Sequence, residues 1–226
     1  ESSLRRLQTD HIDVYYIHHV DVQTPLEEML RAFDDLVRQG KILYTACSNY
    51  EAWRLMEALW LSDTNRWARF EAYQVQYSLV VRDIERDLLP AAEEYNLGLL
   101  PFFPLASGLL TGKYRKGLPL PQGSRAKDEW GPKVFTEENL ARVEKMLAYA
   151  ESRNHTLLEL AMSWLASRDV VSSVIAGAKT PEQVRQNAAA VSAPRAYRST
   201  RSRHCAHNAA LRSLAISNLP VVLRNS

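Results

Sequence analysis

Cysteine is scarce in this sequence: only Cys47 and Cys205 occur among 226 residues, and they form no CxxC pair. We therefore expect neither a disulfide framework nor a metal site, and a reducing, cytoplasmic location fits best. Long apolar runs are also absent, because none approaches the roughly 18 to 20 residues of a membrane-spanning helix. The amino terminus has no signal-peptide pattern. These absences predict a soluble protein.

Lysine and acidic residues are missing from one segment, although the net charge of the whole chain is only +2. The charged side chains of residues 191–226 are all arginines: Arg195, Arg198, Arg201, Arg203, Arg212 and Arg224. The rest of the chain is slightly acidic, so its charge gives no reason to expect a nucleic-acid partner. We predict an atypical, disordered or out-of-frame tail over 191–226. An arm that binds nucleic acid or anionic lipid is the alternative.

Strand and helix patterns alternate along the remainder. Short apolar runs predict five strands, at 12–18, 42–47, 70–77, 99–105 and 170–175. Amphipathic stretches predict helices at 3–8, 25–39, 52–61, 82–95, 136–153, 156–167 and 180–190. Capping boxes are predicted at Thr24, Ser48, Thr156 and Thr180, and Gly40 is expected to end a helix in a left-handed conformation.

This alternation predicts a parallel α/β sheet wrapped by helices. A doubly wound open sheet is one possible architecture. The (β/α)8 TIM barrel is favoured, because no glycine-rich phosphate fingerprint follows any strand and because each strand ends in polar, Gly or Pro residues. Five strands are fewer than a barrel needs. We therefore expect an incomplete barrel over residues 1–190, with about five of eight strands, truncated at its amino terminus.

Six segments at the strand ends resemble, in order, those of the aldo-keto reductase family of NADP(H)-dependent oxidoreductases. Each segment alone is a weak match, and their shared order makes the resemblance specific. The segments are LRRLQTDHIDVYYIH (4–18), LVRQGKI (36–42), CSNY (47–50), YQVQYSL (73–79), PLASGLLTGKY (104–114) and AGAKTPEQVRQN (176–187).

The resemblance implies roles for four residues at the ends of the first three strands. His18 matches the active-site histidine that orients and polarises the substrate carbonyl. Ser48, Asn49 and Gln74 match the residues that hydrogen-bond the nicotinamide carboxamide, which needs both donors and acceptors. Strand alternation predicts that His18 shares a face with Val14 and Tyr16, whereas His19 points the other way and is taken as structural.

The resemblance assigns the rest of an NADPH site to the second half of the chain. Phe102 matches the aromatic residue that stacks on the nicotinamide, with an ordinary core position as the alternative. Leu105, Ser107 and Lys113 lie in the loop that covers the pyrophosphate, and Lys179, Gln183 and Asn187 match the set that grips the adenosine end. Lys179 is the candidate for the 2′-phosphate. Gln186 departs from the family, which commonly has Glu there.

The tyrosine, lysine and aspartate that complete the family's proton transfer have no match in this sequence. We do not assign Tyr15 or Tyr16 as a substitute proton donor, because the sequence places no Lys or Asp where it would lower the pKa of either phenol. The implied function is reduction of small aldehydes or ketones by NADPH in the complete protein, with little or no activity in this chain. An inactive, truncated or regulatory binding module is the alternative. Substrate and oligomeric state stay open.

Overall fold

A computed structural model describes residues 1–115, 117–121, 124–128 and 131–192. The predicted tail from residue 193 onwards, with Cys205, lies outside the described residues. Two compact units are present. The first unit comprises Glu1–Val75 and Glu85–Leu99, and the second comprises Gln76–Ile84 and the described residues from Leu100 onwards. No helix in the described ranges is both long and apolar enough to cross a bilayer.

The sheet is parallel and has four strands in the order β1-β2-β3-β4. The strands are β1 (Ile12–Ile17), β2 (Ile42–Ser48), β3 (Phe70–Gln76) and β4 (Gly98–Phe102). The helices before and between them are α1 (Ser2–Leu7), α2 (Leu26–Arg38), α3 (Ala52–Asn65) and α4 (Leu88–Glu94). Four of the five predicted strands are thereby confirmed, and the parallel α/β class with them.

Helix α2 illustrates how local signals set these elements. Its apolar stripe buries Leu26, Leu30 and Phe33 in the first unit. The helix ends at Arg38, and Gly40, just after the C-cap, has a φ of +68° that suits glycine. The Lys41 N–H bonds back to the carbonyl of Leu36 at 3.1 Å. This 6→1 bond is the Schellman pattern, so the predicted left-handed helix end at Gly40 is confirmed.

The second unit is mainly helical. It contains α5 (Gly131–Val134), α6 (Glu137–Glu151), α7 (Leu157–Ala166) and α8 (Pro181–Ser192). Helix α8 therefore extends two residues into the segment predicted as tail. One apolar cluster joins the loop after β4 to α6 and α7: Val80, Ala106, Leu109, Leu110, Tyr114, Val134, Val143, Leu147, Ala150, Leu157, Leu160 and Ala161.

Two predicted elements form differently. A helix over 82–95 would press the Pro90 ring against the carbonyl of residue 86, so α4 begins only at Leu88, where Pro90 falls in the first turn and its missing N–H costs nothing. The predicted fifth strand, 170–175, contributes an isolated parallel bridge, Phe102↔Ile175. Val171 and Ile175 are single bridge residues separated by three residues without strand structure, and Val171 N–H bonds back to the carbonyl of Arg168, as in a turn.

The predicted caps give mixed outcomes. Thr156 and Glu159 form a complete capping box at α7, and the Thr180 hydroxyl accepts from Gln183 N–H at 3.3 Å. The box predicted at Thr24 is wrong, because that hydroxyl donates to Asp21 and α2 has no side-chain cap. The box predicted at Ser48 is also wrong. Ser48 is the last residue of β2.

The capping box at α7 should make stability depend on pH. The backbone N–H of Thr156 donates to the Glu159 carboxylate at 2.7 Å and is the main reason that its pKa lies below the ordinary value. A depressed folded-state pKa stabilises the fold above the unfolded-state value, and the stabilisation disappears as pH falls through the folded-state value. Glu159→Gln should therefore lower the melting temperature at neutral pH, and the difference from wild type should vanish at an acid pH well below the folded-state pKa of Glu159.

Thr156→Ala is the companion variant. The Thr156 hydroxyl accepts from the N–H of Glu159 at 3.1 Å whatever the charge of the carboxyl group, and it also donates to the Glu159 carboxylate at 3.0 Å. It should destabilise the chain by about 0.5–2 kcal/mol at neutral pH, and the part due to the cap on Glu159 N–H should remain at acid pH. Denaturant unfolding at the two pH values measures both variants. An effect of Glu159→Gln that does not change with pH would contradict the role of the charge.

Candidate functional site

Parallel pairing brings the ends of β1, β2 and β3 to one edge of the sheet in the first unit. Ile17 pairs with Cys47, and Ser48 pairs with Gln74. Partners in register point to the same face of a sheet, so Ser48 and Gln74 lie side by side. His18 directly follows the last residue of β1. Three of the predicted site residues thus stand at adjacent strand ends.

Side-chain hydrogen bonds join these three strand ends. The Asn49 amide nitrogen donates to the backbone carbonyl of His18 at 2.8 Å and to the Ser48 hydroxyl at 3.1 Å. The Ser48 hydroxyl in turn donates to the backbone carbonyl of Gln74 at 3.0 Å. Asn49 itself has a φ of +59°, in the left-handed region that asparagine tolerates better than most residues. We call His18, Ser48, Asn49 and Gln74 the strand-end network.

A tyrosine fixes the turn that carries this network. The Tyr73 hydroxyl donates to the backbone carbonyl of Tyr50 at 2.5 Å, and the Tyr50 ring packs edge-on against Phe70. Burial raises the pKa of Tyr73, so the phenol stays protonated and remains a donor. Burial also raises the pKa of Tyr50, to about 12. The turn after β2 is therefore held by side chains from β3 as well as by its own backbone.

The hydrogen bonds already made limit what the network can offer a ligand. Both amide hydrogens of Asn49 are used, which leaves its side-chain oxygen as an acceptor. The Ser48 hydroxyl hydrogen is used as well. Within the described ranges the Gln74 side-chain amide makes no hydrogen bond, so it can both donate and accept. A primary carboxamide, with one acceptor and two donor hydrogens, suits this set.

His18 is exposed, and its ring lies against that of His19 with the centroids 4.2 Å apart. The expectation that His19 points the other way is wrong. Side chains alternate only within a strand, and β1 ends at Ile17, before either histidine. His19 is therefore a contact of the candidate active-site histidine, which the strand pattern did not indicate.

The two tyrosines of β1 do not provide an acid beside His18. Burial raises the pKa of Tyr16 strongly, and its hydroxyl is buried without a hydrogen-bond partner in the described part of the chain. The Tyr15 ring packs against Phe33, 5.7 Å between centroids. A phenol that gives up its proton easily needs a lowered pKa, whereas the pKa of Tyr16 is raised.

Phe102, at the end of β4, belongs to the second unit. Its carbonyl accepts from Tyr77 N–H at 3.5 Å, and it bridges to Ile175. Its half-buried ring meets that of Phe103 nearly edge-on, with the centroids 5.4 Å apart. Part of the Phe102 ring therefore stays accessible, as a stacking residue requires.

The loop after β4 contains several residues with left-handed backbone. Ala106, Ser107 and Gly108 have φ values of +46°, +56° and +94°. Such a conformation costs roughly 1–2 kcal/mol for each residue other than glycine. It persists because Ala106, Leu109 and Leu110 are fully buried in the apolar cluster of the second unit. Strain of this kind concentrates at ligand-binding loops.

The three loop residues predicted to contact phosphate differ in the groups that they can present to a ligand. The Leu105 side chain packs against the apolar cluster, and the Leu105 carbonyl accepts from Gly108 N–H. Leu105 therefore offers few free groups to a ligand. The Ser107 hydroxyl has no partner among the residues that the structure describes. The Lys113 ammonium is exposed, 5.1 Å from the Tyr114 ring centroid and beside Gly108. Ser107 and Lys113 could therefore meet phosphate oxygens.

Lys179, Gln183 and Asn187 are spaced four residues apart; Lys179 precedes α8, and the other two lie on it. Lys179 N–H donates to the Gln183 side-chain oxygen at 2.7 Å, which leaves the Gln183 amide hydrogens available. The Lys179 ammonium is exposed and has no ion pair with any described residue. Gln186 donates to Glu182 at 3.1 Å. In the described ranges, no three His, Cys, Asp or Glu side chains come close enough to bind a metal.

The strained loop gives a stability prediction. Gly108→Ala should destabilise the second unit by about 1–2 kcal/mol, because alanine resists a φ of +94°. The added Cβ itself would meet the Lys113 side chain only at ordinary contact distance, 3.7 Å. Gly177→Ala is the matched control, since Gly177 has open space around it and no left-handed φ, and should stay within about 0.5 kcal/mol. Equal effects in urea unfolding would contradict the strain.

The chain resembles known proteins over most of its length. The model of the aldo/keto reductase family matches residues 1–197. L-glyceraldehyde 3-phosphate reductase of Escherichia coli (strain K12) is 35% identical over 199 residues, which cover 84% of this chain and 56% of that protein. A probable voltage-gated potassium channel subunit beta of Arabidopsis thaliana is 35% identical over 196 residues, covering 84% and 60%.

Human aflatoxin B1 aldehyde reductase member 4 is 35% identical over 207 residues, which cover 84% of this chain and 62% of that protein. The chain thus spans less than two thirds of the length of each of these relatives. Its four-stranded parallel sheet is consistent with an incomplete (β/α)8 barrel. On the match to the family model and to these relatives, the chain belongs to the aldo/keto reductase family.

Proposed function

We propose that this chain supplies the cofactor-binding residues and the active-site histidine of an NADPH-dependent reductase of small aldehydes or ketones. The observation that carries the proposal is the strand-end network, in which Ser48, Asn49 and Gln74 adjoin His18 at the carboxyl ends of three parallel strands. Ligands of parallel α/β barrels bind at that edge. Two relatives named as reductases of a sugar phosphate and of an aldehyde support the same reaction class.

The donor and acceptor groups of each unit, taken separately, suit different parts of a nicotinamide dinucleotide phosphate. In the first unit, the free oxygen of Asn49 and the free amide of Gln74 match a carboxamide. In the second unit, Ser107 and Lys113 match phosphate oxygens, and the unpaired ammonium of Lys179 matches a 2′-phosphate. Phe102 offers a ring face for stacking. The cofactor supplies the hydride when it is bound.

His18 would act on the substrate. Its exposed imidazole can donate a ring N–H to a carbonyl oxygen, which withdraws electron density from the carbonyl carbon and orients it. A proton must also reach the alkoxide that forms. Burial raises the pKa of Tyr16, Tyr50 and Tyr73, so none of these three phenols is suited to donate it. We therefore expect this chain alone to reduce carbonyl compounds little or not at all.

A regulatory binding module is the second candidate function. One relative is named as a probable potassium channel subunit beta, so membership of the family does not by itself require turnover as the main role. Both candidates share the cofactor site. They differ in whether the complete protein places a proton donor next to His18, which an aldehyde-reduction assay of the complete protein would decide.

Binding of NADPH tests the proposal directly. Quenching of the fluorescence of the five tryptophans during titration should show saturable binding. Loss of a charge-assisted contact is worth about 1.5–3 kcal/mol, so Lys179→Ala should weaken NADPH binding roughly 10- to 100-fold. Binding of NADH, which lacks the 2′-phosphate, should change less than about 3-fold.

Lys145→Ala is the matched control, because Lys145 is an exposed lysine of α6 outside the proposed site. It should leave both affinities unchanged. Absence of NADPH binding to the wild-type chain would overturn the proposal for this chain. Equal weakening of NADPH and NADH by Lys179→Ala would remove Lys179 from the 2′-phosphate contact while leaving the rest of the cofactor site in place.

A further inference from the structure

We propose that Asn49 is a positioning residue for His18, in addition to its proposed contact with the cofactor. Its side-chain amide holds the backbone of His18, so that the carboxamide-binding groups and the active-site histidine form one mechanically coupled unit. This inference rests on the proposed function for its catalytic meaning. The coupling itself rests on contacts within the first unit.

The sheet ladder does not reach His18. Backbone pairing between β1 and β2 runs from Ile12↔Ile42 to Ile17↔Cys47 and stops there. The next side-chain anchor in the described part of the loop is Asp21, which accepts from Gln23 N–H and from the Thr24 hydroxyl. Between these two points the Asn49 amide donates to the His18 carbonyl at 2.8 Å. The amide therefore continues the strand pairing by one residue.

The conformation of Asn49 is what allows this bond. Its φ of +59° turns the chain sharply after β2, and the side chain then points back toward the end of β1. The second amide hydrogen is held by Ser48, whose hydroxyl is fixed on the carbonyl of Gln74. The Asn49 amide is thus restrained in its own plane. It cannot rotate without breaking a contact to β1 or to Ser48.

This restraint predicts that a ligand and His18 influence each other. A carboxamide that donates to the Asn49 oxygen would bind the same rigid amide whose nitrogen holds His18. Occupancy of the carboxamide position would therefore narrow the positions that the His18 ring can adopt. Because the ring of His19 lies 4.2 Å from that of His18, both imidazoles should report the change.

Nuclear magnetic resonance of the histidine imidazoles in the ligand-free 226-residue chain tests the positioning. The chain has only six histidines, and single His→Ala variants assign them. Asn49→Gly removes the amide at a residue type that suits a φ of +59°. The ring signals of His18 and His19 should shift or broaden, whereas those of His11 and His155 should stay in place.

Asn154→Gly is the matched control, because Asn154 also has a left-handed φ, +57°, at an exposed turn. It should leave the signals of His18 and His19 unchanged. Asn49→Asp is the second variant: it keeps the size of the side chain and tolerates the same backbone but cannot donate. It should fail to restore the wild-type signals. Unchanged His18 signals in folded Asn49→Gly, or full restoration by Asn49→Asp, would overturn the positioning role.

Addition of NADPH separates this inference from the proposed function. In the wild-type chain, saturating NADPH should shift the His18 and His19 signals. In Asn49→Gly, that shift should be absent even at NADPH concentrations that saturate the fluorescence titration. If NADPH does not bind the wild-type chain, the proposed cofactor site fails, while the ligand-free comparison still decides whether Asn49 positions His18. An equal NADPH-induced shift in both proteins would refute the coupling.

Discussion

Parallel pairing in register is the constraint on which the arrangement of the candidate site depends. Strands that run in the same direction end at the same edge, so residues distant in the sequence meet there without any special recognition between them. Asn49 and His18 are 31 residues apart, and Ser48 and Gln74 are 26 apart. Two side-chain hydrogen bonds then suffice to fix the strand ends. A shift of one residue in register would place Ser48 and Gln74 on opposite faces and would break the network.

Much of the fold could be predicted from local sequence signals. The four strands, the left-handed Gly40 just after α2 and the capping box at Thr156 depend on residues within a few positions of one another. The predicted caps fail where a distant or competing hydrogen-bond acceptor takes the hydroxyl group. Ser48 has the right spacing to Glu51 for a cap, but the neighbouring strand β3 offers the carbonyl of Gln74, and the hydroxyl bonds there. The Thr24 hydroxyl likewise donates to Asp21 and does not cap α2.

The identities of the site residues came from resemblance to a family, and their geometry could not follow from the sequence. The contact of Asn49 with His18 depends on a left-handed φ at Asn49, which asparagine permits but does not dictate. The left-handed backbone at Ala106 is less predictable still, because alanine disfavours it and only burial in the apolar cluster maintains it. The ring contact of His19 with His18 arises because β1 ends at Ile17, one residue before the predicted end of the strand.

The two units offer a ligand different kinds of chemical group. In the first unit, the groups proposed to meet a carboxamide include the Asn49 amide and the Ser48 hydroxyl, whose hydrogens are already bonded to the protein. Such groups are oriented before a ligand arrives, so binding costs little reorganisation and favours one direction of the carboxamide. In the second unit, Lys113 and Lys179 are exposed ammonium groups on flexible stems. They attract phosphate as point charges from many directions. The groups of the first unit can therefore fix the direction of a bound group, whereas the two lysines of the second unit offer charge without a fixed direction.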